Sequence, residues 1–361
     1  MDWAPTEMAK LGWGLVGGGE GSFFGPVHRM AAALDGRFEL AAGAFSSDPA
    51  NNRRSGHALG LAAGRIYDSF AEMARAEAAR LDLVTIATPN HLHFAAAKAF
   101  LEAGIAVLCE KPMTLDLAEA EALRDLVARS GRPFVLAHTY TGYPMVRRAR
   151  DLAASGALGT IHVVQVEYAQ DWLAGAAFSK QAAWRIDPAR SGAGGGLGDI
   201  GTHAFNLAVY VTGLTPRALC ADIDHFGEGR VLDDNAHCLL RFDGGAKGML
   251  WCSQVAIGRK NALTLRVYGS EGGLEWSQED PERLTLSQLG GPTTILQKTD
   301  GRLPVGHPEG FIEALGQLYR DLAQVLTGGS PAAPLPGAED GVAGLRFVEA
   351  AVRSAGGWVD L

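Results

Sequence analysis

Over the first 138 residues, the apolar positions repeat with two different spacings. Short apolar runs occur at Leu11–Val16, Glu39–Phe45, Leu83–Ala87, Ala106–Cys109 and Pro133–His138. Stretches with helical spacing separate them. Behind Pro26, which suits a first helical position, Val27, Met30, Ala31 and Leu34 fall at i, i+3, i+4 and i+7. Asp48-Pro49 reads as an N-cap with proline at N1, and Ala95–Glu102 closes at Gly104. Asp116-x-x-Glu119 reads as a capping box for a helix that stops at Gly131. Strand-like runs alternating with helices predict a doubly wound α/β sheet, because parallel strands need a crossover to return.

The period changes after a helix predicted near Pro144–Ala154. Ile161–Tyr168, Arg217–Asp224, His237–Phe242, Ala246–Gln254, Leu263–Tyr268 and Leu274–Gln278 read as strands, and Asp243-Gly244-Gly245 is a hairpin signal. They predict an α+β domain with a mostly antiparallel open sheet and helices on one face. Amphipathic stretches at Phe311–Leu326 and Gly341–Ala355 complete the chain. The expected division is a first domain over residues 1–138 and a second over 139–361.

Composition narrows the partners. The formal net charge is −8, and no basic cluster exceeds the pairs Arg53-Arg54 and Arg147-Arg148. This argues against nucleic acid or an anionic membrane as a partner. The four cysteines, Cys109, Cys220, Cys238 and Cys252, show no C-x-x-C spacing, as expected of a reduced cytoplasmic protein. Met1–Pro5 carries no basic stretch followed by an apolar run, and no segment approaches the roughly 18 apolar residues of a membrane span.

Chemistry enters where the first strand ends. Gly17-Gly18-Gly19-Glu20-Gly21-Ser22-Phe23-Phe24-Gly25 lies between strand and helix, where glycine lets backbone turn tightly and approach a pyrophosphate. Gly17-x-Gly19 fits the dinucleotide fingerprint of a Rossmann-type domain, but the third glycine arrives at Gly25, three residues late. After the second strand, the carboxylate that would hold the ribose of NAD is replaced by Ser46-Ser47. Arg53-Arg54 lies further on, so a 2′-phosphate has room and NAD and NADP both stay open. Thr88-Pro89-Asn90-x-x-His93 and Glu110-Lys111-Pro112 follow later strand-like runs, at carboxyl ends where doubly wound sheets bind ligands. Lys111 is either a salt-bridge partner or a group aimed into the cleft, and the bond to Pro112 is a candidate for the cis form.

A third constellation comprises Trp184-Arg185, the glycines of 192–198, and Asp199-x-Gly201-x-His203. A helix starting near Asp199 would put Asp199 and His203 on one face, although an N-cap aspartate and a packed histidine have the same signature. His91, His93 and His203 lack the spacing of a metal site, and no G-x-S-x-G elbow is present. Tyr140, Tyr143, Trp172 and Trp184 fall where aromatic rings line a sugar pocket or a core equally well.

Together these motifs resemble the glucose–fructose oxidoreductase and inositol dehydrogenase family, Gfo/Idh/MocA, in order and spacing along nearly the whole chain. The resemblance implies an N-terminal NAD(P)-binding domain and a C-terminal α+β domain whose open sheet forms homodimers or homotetramers. It implies that Lys111, Asp199 and His203 face the nicotinamide and the substrate carbinol. The expected reaction moves hydride between nicotinamide and a hydroxyl-bearing carbon of a sugar, glycoside or inositol-like polyol. In it His203 is the base, Lys111 the polarising donor and Asp199 the orienter of His203. The expected cofactor set is Gly17, Gly19, Glu20, Gly25, Ser46, Ser47, Arg53, Thr88, Pro89, Asn90, His93, Glu110, Lys111 and Arg185. The expected substrate set is Lys111, Tyr140, Trp172, Arg185, Asp199 and His203. The competing readings are a non-catalytic dinucleotide sensor and a dehydrogenase of a dihydrodiol or imine.

Overall fold

The computed structural model describes residues 9–175, 187–299 and 301–361; Trp184 and Arg185 lie outside them. The first sheet has five parallel strands: β1 (Leu11–Gly17), β2 (Phe38–Ala44), β3 (Leu83–Ala87), β4 (Ala106–Cys109) and β5 (Phe134–Leu136). Their order is β2-β1-β3-β4-β5, so the chain reverses direction across the sheet between β1 and β3 and opens a crevice there. Five helices lie between the strands: α1 (Phe24–Ala33), α2 (Pro49–Ala58), α3 (Phe70–Glu77), α4 (His93–Glu102) and α5 (Leu117–Ser130).

The caps were legible in advance. Asp48 accepts the Ala50 N–H at 3.0 Å, Asp116 accepts the Glu119 N–H at 2.9 Å, and Gly131 ends α5 with φ 60°. The sequence reading passed over α3, which Ser69 caps through the Glu72 N–H at 3.2 Å.

α6 (Pro144–Ala154) leads into a nine-stranded sheet. Its strands are β6 (Ile161–Ala169), β7 (Pro216–Asp224), β8 (Asn235–Phe242), β9 (Lys247–Ser253), β10 (Ala262–Gly269), β11 (Gly272–Ser277), β12 (Arg283–Gln288), β13 (Thr293–Gln297) and β14 (Trp358–Asp360). The order is β13-β12-β11-β10-β6-β9-β8-β7-β14, antiparallel throughout except for the β6–β9 pair. A turn at Asp243–Gly245, with Gly244 and Gly245 at positive φ, joins β8 to β9 as the sequence predicts. One face of the sheet packs on α6, α7 (Thr202–Thr212) and α9 (Ala338–Ser354).

The late helices also serve the first sheet. Leu315, Leu318, Tyr319 and Leu322 of α8 (Phe311–Leu326) share a core with Trp13, Leu15 and Val27, and Val342 and Leu345 of α9 pack on its other face. This return fixes the two sheets against one cleft. No helix among the described residues is long and apolar enough to cross a membrane.

Candidate active site

Gly17 and Gly18 leave β1 at φ 76° and 72°, backbone that side-chain-bearing residues rarely adopt. The displaced third glycine has a structural reason. α1 begins at Phe24, so Gly25 sits in its first turn, and a Cβ there would stand 2.0 Å from the Gly18 carbonyl oxygen. Gly25 therefore gives the close loop–helix approach that the fingerprint's last glycine provides, and the additional residues bulge outward. In that bulge the Ser22 N–H donates to the Gly19 carbonyl at 3.0 Å, and Phe23 stands 55% exposed. The amides of Phe23 and Phe24 precede the first intrahelical bond and make no backbone hydrogen bond among the described residues. A helix start of this kind suits a pyrophosphate.

A cleft of about 630 Å³ follows the loop past Ser46 and Ser47 to Thr88, Pro89 and His91. A Cβ on Gly19 would lie 2.9 Å from Ser55 Oγ and 3.0 Å from the Phe45 carbonyl oxygen, so only glycine fits that wall without movement. Thr88 Oγ1 and His91 Nδ1 are buried without partners among the described residues, and both residues line the cleft. These features fit a dinucleotide, and Gly17, Gly19, Glu20, Ser46 and Ser47 all line the cleft.

Two expected cofactor contacts are placed elsewhere. Asn51 and Ser55 turn one face of α2 to the loop, Asn51 Nδ2 donating to the Glu20 carbonyl and Ser55 Oγ accepting the Glu20 N–H. Arg53, two positions beyond Asn51, falls on the opposite side, is exposed and is absent from the lining. Arg54 pairs with the Glu20 carboxylate at 3.2 Å. His93 is fully buried beneath the cleft, its ring nitrogens 2.8 Å from the Pro112 carbonyl and 2.9 Å from the Thr88 carbonyl. It ties two binding loops together and has no nitrogen left for a ligand. Asn90 plays a similar part, donating to the Ser191 carbonyl at 3.0 Å while lining the inner end.

The second half of the site forms where β4 ends. The Lys111–Pro112 peptide is cis. The Glu110 carboxylate accepts the Lys111 N–H at 3.2 Å and pairs with His28 Nε2 at 2.9 Å. The buried chain continues from His28 Nδ1 to the Tyr319 hydroxyl at 2.9 Å and on to Thr85 Oγ1 at 2.8 Å, joining α1, α8 and β3. Lys111 Nζ donates to Asp199 Oδ1 at 3.0 Å and to the Asp199 carbonyl at 2.5 Å. An ammonium has three N–H donors, so one remains for a substrate oxygen.

Asp199 stands in a helix entry of unusual shape. The Asp233 carboxylate accepts the N–H groups of Gly195 and Leu197 at 2.6 and 2.7 Å, and one π-turn over Leu197–Gly201 precedes α7. The helix thus starts earlier than Asp199, and its first turn is wider than an α-turn. Residues spaced i, i+4 do not stack there, so Asp199 and His203 share no hydrogen bond. The second carboxylate oxygen of Asp199, Oδ2, accepts the Gln254 Nε2–H at 2.9 Å. Asp199 accepts from Lys111 through both its carboxylate and its carbonyl. His203 is not an unperturbed base. Burial, the Lys111 charge and the neighbouring His138 hold it well below the usual histidine range, so it is neutral at pH 7.

Lys111, Asp199 and His203 meet at a cavity of about 390 Å³ that Tyr140, Tyr168 and Trp172 also line. Part of its wall is a polar network that is already hydrogen-bonded. Tyr140 and Tyr168 share a hydroxyl–hydroxyl bond, the Tyr168 O–H donates to Asn261 Oδ1 at 2.6 Å, and Asn261 Nδ2 donates to the Tyr140 oxygen at 3.3 Å. Gln170 Nε2 joins at Asn261 Oδ1, 2.8 Å, and its own oxygen accepts the Trp172 N–H at 2.9 Å. Tyr143 is core, packed on Trp276 outside the cavity.

Comparison with known proteins decides what this arrangement belongs to. Residues 11–138 match the family model described as the oxidoreductase family, NAD-binding Rossmann fold, and residues 146–275 match the GFO/IDH/MocA C-terminal domain. An oxidoreductase structure from Sinorhizobium meliloti is 45% identical, with TM-score 0.89, over 98% of this chain and 100% of that one. The chain belongs to the Gfo/Idh/MocA oxidoreductase family. An inositol dehydrogenase homologue from Azotobacter vinelandii, solved with NADH and myo-inositol, is 35% identical with TM-score 0.89 over 98% of each chain. Levoglucosan dehydrogenase of Pseudarthrobacter phenanthrenivorans is 30% identical over 78% of this chain and 77% of that protein.

As a Gfo/Idh/MocA oxidoreductase the chain binds NAD through its first domain. Sequence reasoning missed Phe24, His138, Tyr168, Gln170, Gln254 and Asn261 at this family site. Only Phe24 had a signal, its place inside the glycine loop. The others are isolated polar or aromatic residues on strands and turns that converge only when β5, β6, β9 and β10 fold together.

Proposed function

We propose that this oxidoreductase oxidises, reversibly, one secondary hydroxyl of a polyhydroxylated ring: a sugar, glycoside or inositol-like polyol. The observation that carries the reading is the cavity over Lys111, Asp199 and His203, which shares Phe23 and Phe24 with the dinucleotide cleft. Bound NAD supplies the hydride acceptor. The third Lys111 N–H donates to the reacting oxygen and stabilises charge that develops there. Asp199 keeps that ammonium in place. Neutral His203 takes the hydroxyl proton at Nε2, which has no hydrogen-bond partner among the described residues and is not sealed from the cavity. Gln170, Asn261 and Trp172 line the rest of the cavity, where they suit the remaining hydroxyls of a ring.

The likeness to proteins named for inositol and levoglucosan supports the ring class. We further propose NAD over NADP as the working cofactor, because Ser46, Ser47 and Asn51 line the ribose corner while Arg53 does not. The test is turnover with each cofactor on myo-inositol, levoglucosan, pyranosides and 2-propanol. Rings should exceed 2-propanol by at least about a hundredfold in kcat/KM, since each buried polar group left unpaired costs roughly 1–3 kcal/mol. Equal efficiency on 2-propanol and every ring would defeat the reading.

We propose as well that copies of the chain pair through the outer face of the nine-stranded sheet. Leu239, Met249, Gln165, Arg266, Glu275, Thr285 and Ile295 stand in one row across seven strands of that face. Leu239, Met249 and Ile295 are exposed apolar side chains there, of the kind a partner surface covers. Light scattering should give a dimer or tetramer, and Met249→Lys should lower its mass; a monomeric wild type contradicts this.

A further inference from the structure

His138 follows β5 and is held by its backbone. Its N–H donates to the Leu136 carbonyl at 2.7 Å, and its carbonyl accepts the Thr141 N–H at 3.1 Å and the Thr141 hydroxyl at 2.9 Å. Its ring is nearly sealed and meets His203 edge-on, with centroids 5.4 Å apart and Nδ1 facing Nδ1 at 3.4 Å. Two facing lone pairs would repel, and two facing N–H groups would clash. One Nδ1 therefore carries hydrogen and the other accepts, which couples the tautomers of the two rings.

We infer that His138 is the positioning residue for His203, accepting the His203 Nδ1–H so that the lone pair of His203 is placed on Nε2, toward the cavity. This rests on the reading of His203 as the proton acceptor. The opposite arrangement would put N–H on His203 Nε2 and make it a donor to substrate, unable to take a proton. When the hydroxyl proton arrives at Nε2, the Nδ1–H stays bonded to His138, which stabilises the resulting imidazolium. His138, in the turn after β5, thus supplies the neutral acceptor that orients His203.

The surroundings keep both rings neutral, which this arrangement requires. Among the described residues the titratable groups around the pair include Lys111 after β4, Asp199 in the π-turn, Tyr140 after β5 and Tyr168 on β6, and Glu110 and Lys260 line the same cavity. Burial and the Lys111 charge press His138 down to about 3 and His203 well below its usual range, so both rings are neutral at pH 7. The tyrosines are pushed upward by burial and stay protonated. Lys111 and Asp199 form an ion pair beside the rings at 3.0 Å.

The test reads the tautomer directly and does not depend on knowing the substrate. Nitrogen-15 spectra of the full chain labelled at histidine, assigned with His138→Phe and His203→Ala, should show His203 protonated at Nδ1 and His138 at Nε2. In His138→Phe, which keeps a planar ring without an acceptor, His203 should move toward the Nε2–H form. His138→Asn, whose Oδ1 can accept from Nδ1, should restore the wild-type pattern even if the phenylalanine variant is unstable. Turnover of myo-inositol with NAD supplies the second readout. His138→Phe should lower kcat at least tenfold and alter the pH profile, leave KM for NAD within twofold, and be rescued by His138→Asn. A His203 protonated at Nε2 in the wild type overturns the proposal. Unchanged turnover in His138→Phe overturns it alone if His203→Ala is inactive. Unchanged turnover in His203→Ala defeats the underlying reading instead.

Discussion

At the scale of single residues, the account turns on which partner each catalytic side chain keeps. Lys111→Met removes the one N–H left for substrate and should lower kcat about 10²–10⁴-fold, the range for losing a positioned donor or base, with NADH affinity held. Asp199→Asn should follow Lys111→Met and not His203→Ala in its kinetic pattern, because Asp199 holds the ammonium. A double variant of Lys111 and Asp199 little worse than Lys111→Met alone, measured by steady-state kinetics, would agree with residues acting as a unit. Fully additive losses would not. The residue types were legible before the fold, since Glu110-Lys111-Pro112 and Asp199-x-x-x-His203 carry recognisable spacing. Their pairing was not. The i, i+4 argument assumes an α-helix, and the Asp233 carboxylate, thirty-four residues downstream of Asp199, draws the entry into a π-turn.

At the scale of elements, periodicity served best where an element is buried on both sides. β1 and β3 lie close to their predicted bounds, and the helices after Asp48 and Asp116 start at their predicted caps, because strand sterics and side-chain caps act within a few residues. β12, β13 and β14 were not read, since short strands at or next to the sheet edge carry weak alternation. The bulge of the glycine loop belongs to this scale too. It sets the Phe24 ring on all three stretches of the cleft, so Phe24→Ala should raise KM for both NAD and the polyol by several-fold. A change confined to one substrate would show that the ring serves only that side. Gly25→Val forces a Cβ onto the Gly18 carbonyl, and calorimetry with NADH should show weakened binding together with a lower Tm.

At the scale of the whole molecule, burial of histidines ties stability to pH. His93, His138 and His203 all have folded-state pKa values pressed below 6.5, chiefly by burial. The unfolded chain therefore binds protons near pH 6 that the folded chain refuses. Stability is fully present above that value and is lost as pH falls, by up to about 1.4 kcal/mol per pH unit for each such residue. Thermal unfolding should show Tm falling from pH 7 to pH 5, with a shallower fall in His138→Asn. A flat profile would contradict the neutral state of the pair on which the catalytic reading depends.

The central claim is direct hydride transfer from a ring carbinol to NAD at the Lys111–His203 cavity. Its most direct test uses the ring polyol with the highest turnover, deuterated at every ring carbon, with mass analysis of the reduced cofactor. The account requires one deuterium in the cofactor, a primary isotope effect on kcat/KM, and loss of both turnover and label in His203→Ala. Reduced cofactor without deuterium, or label transfer that persists at the wild-type rate in His203→Ala, would contradict it.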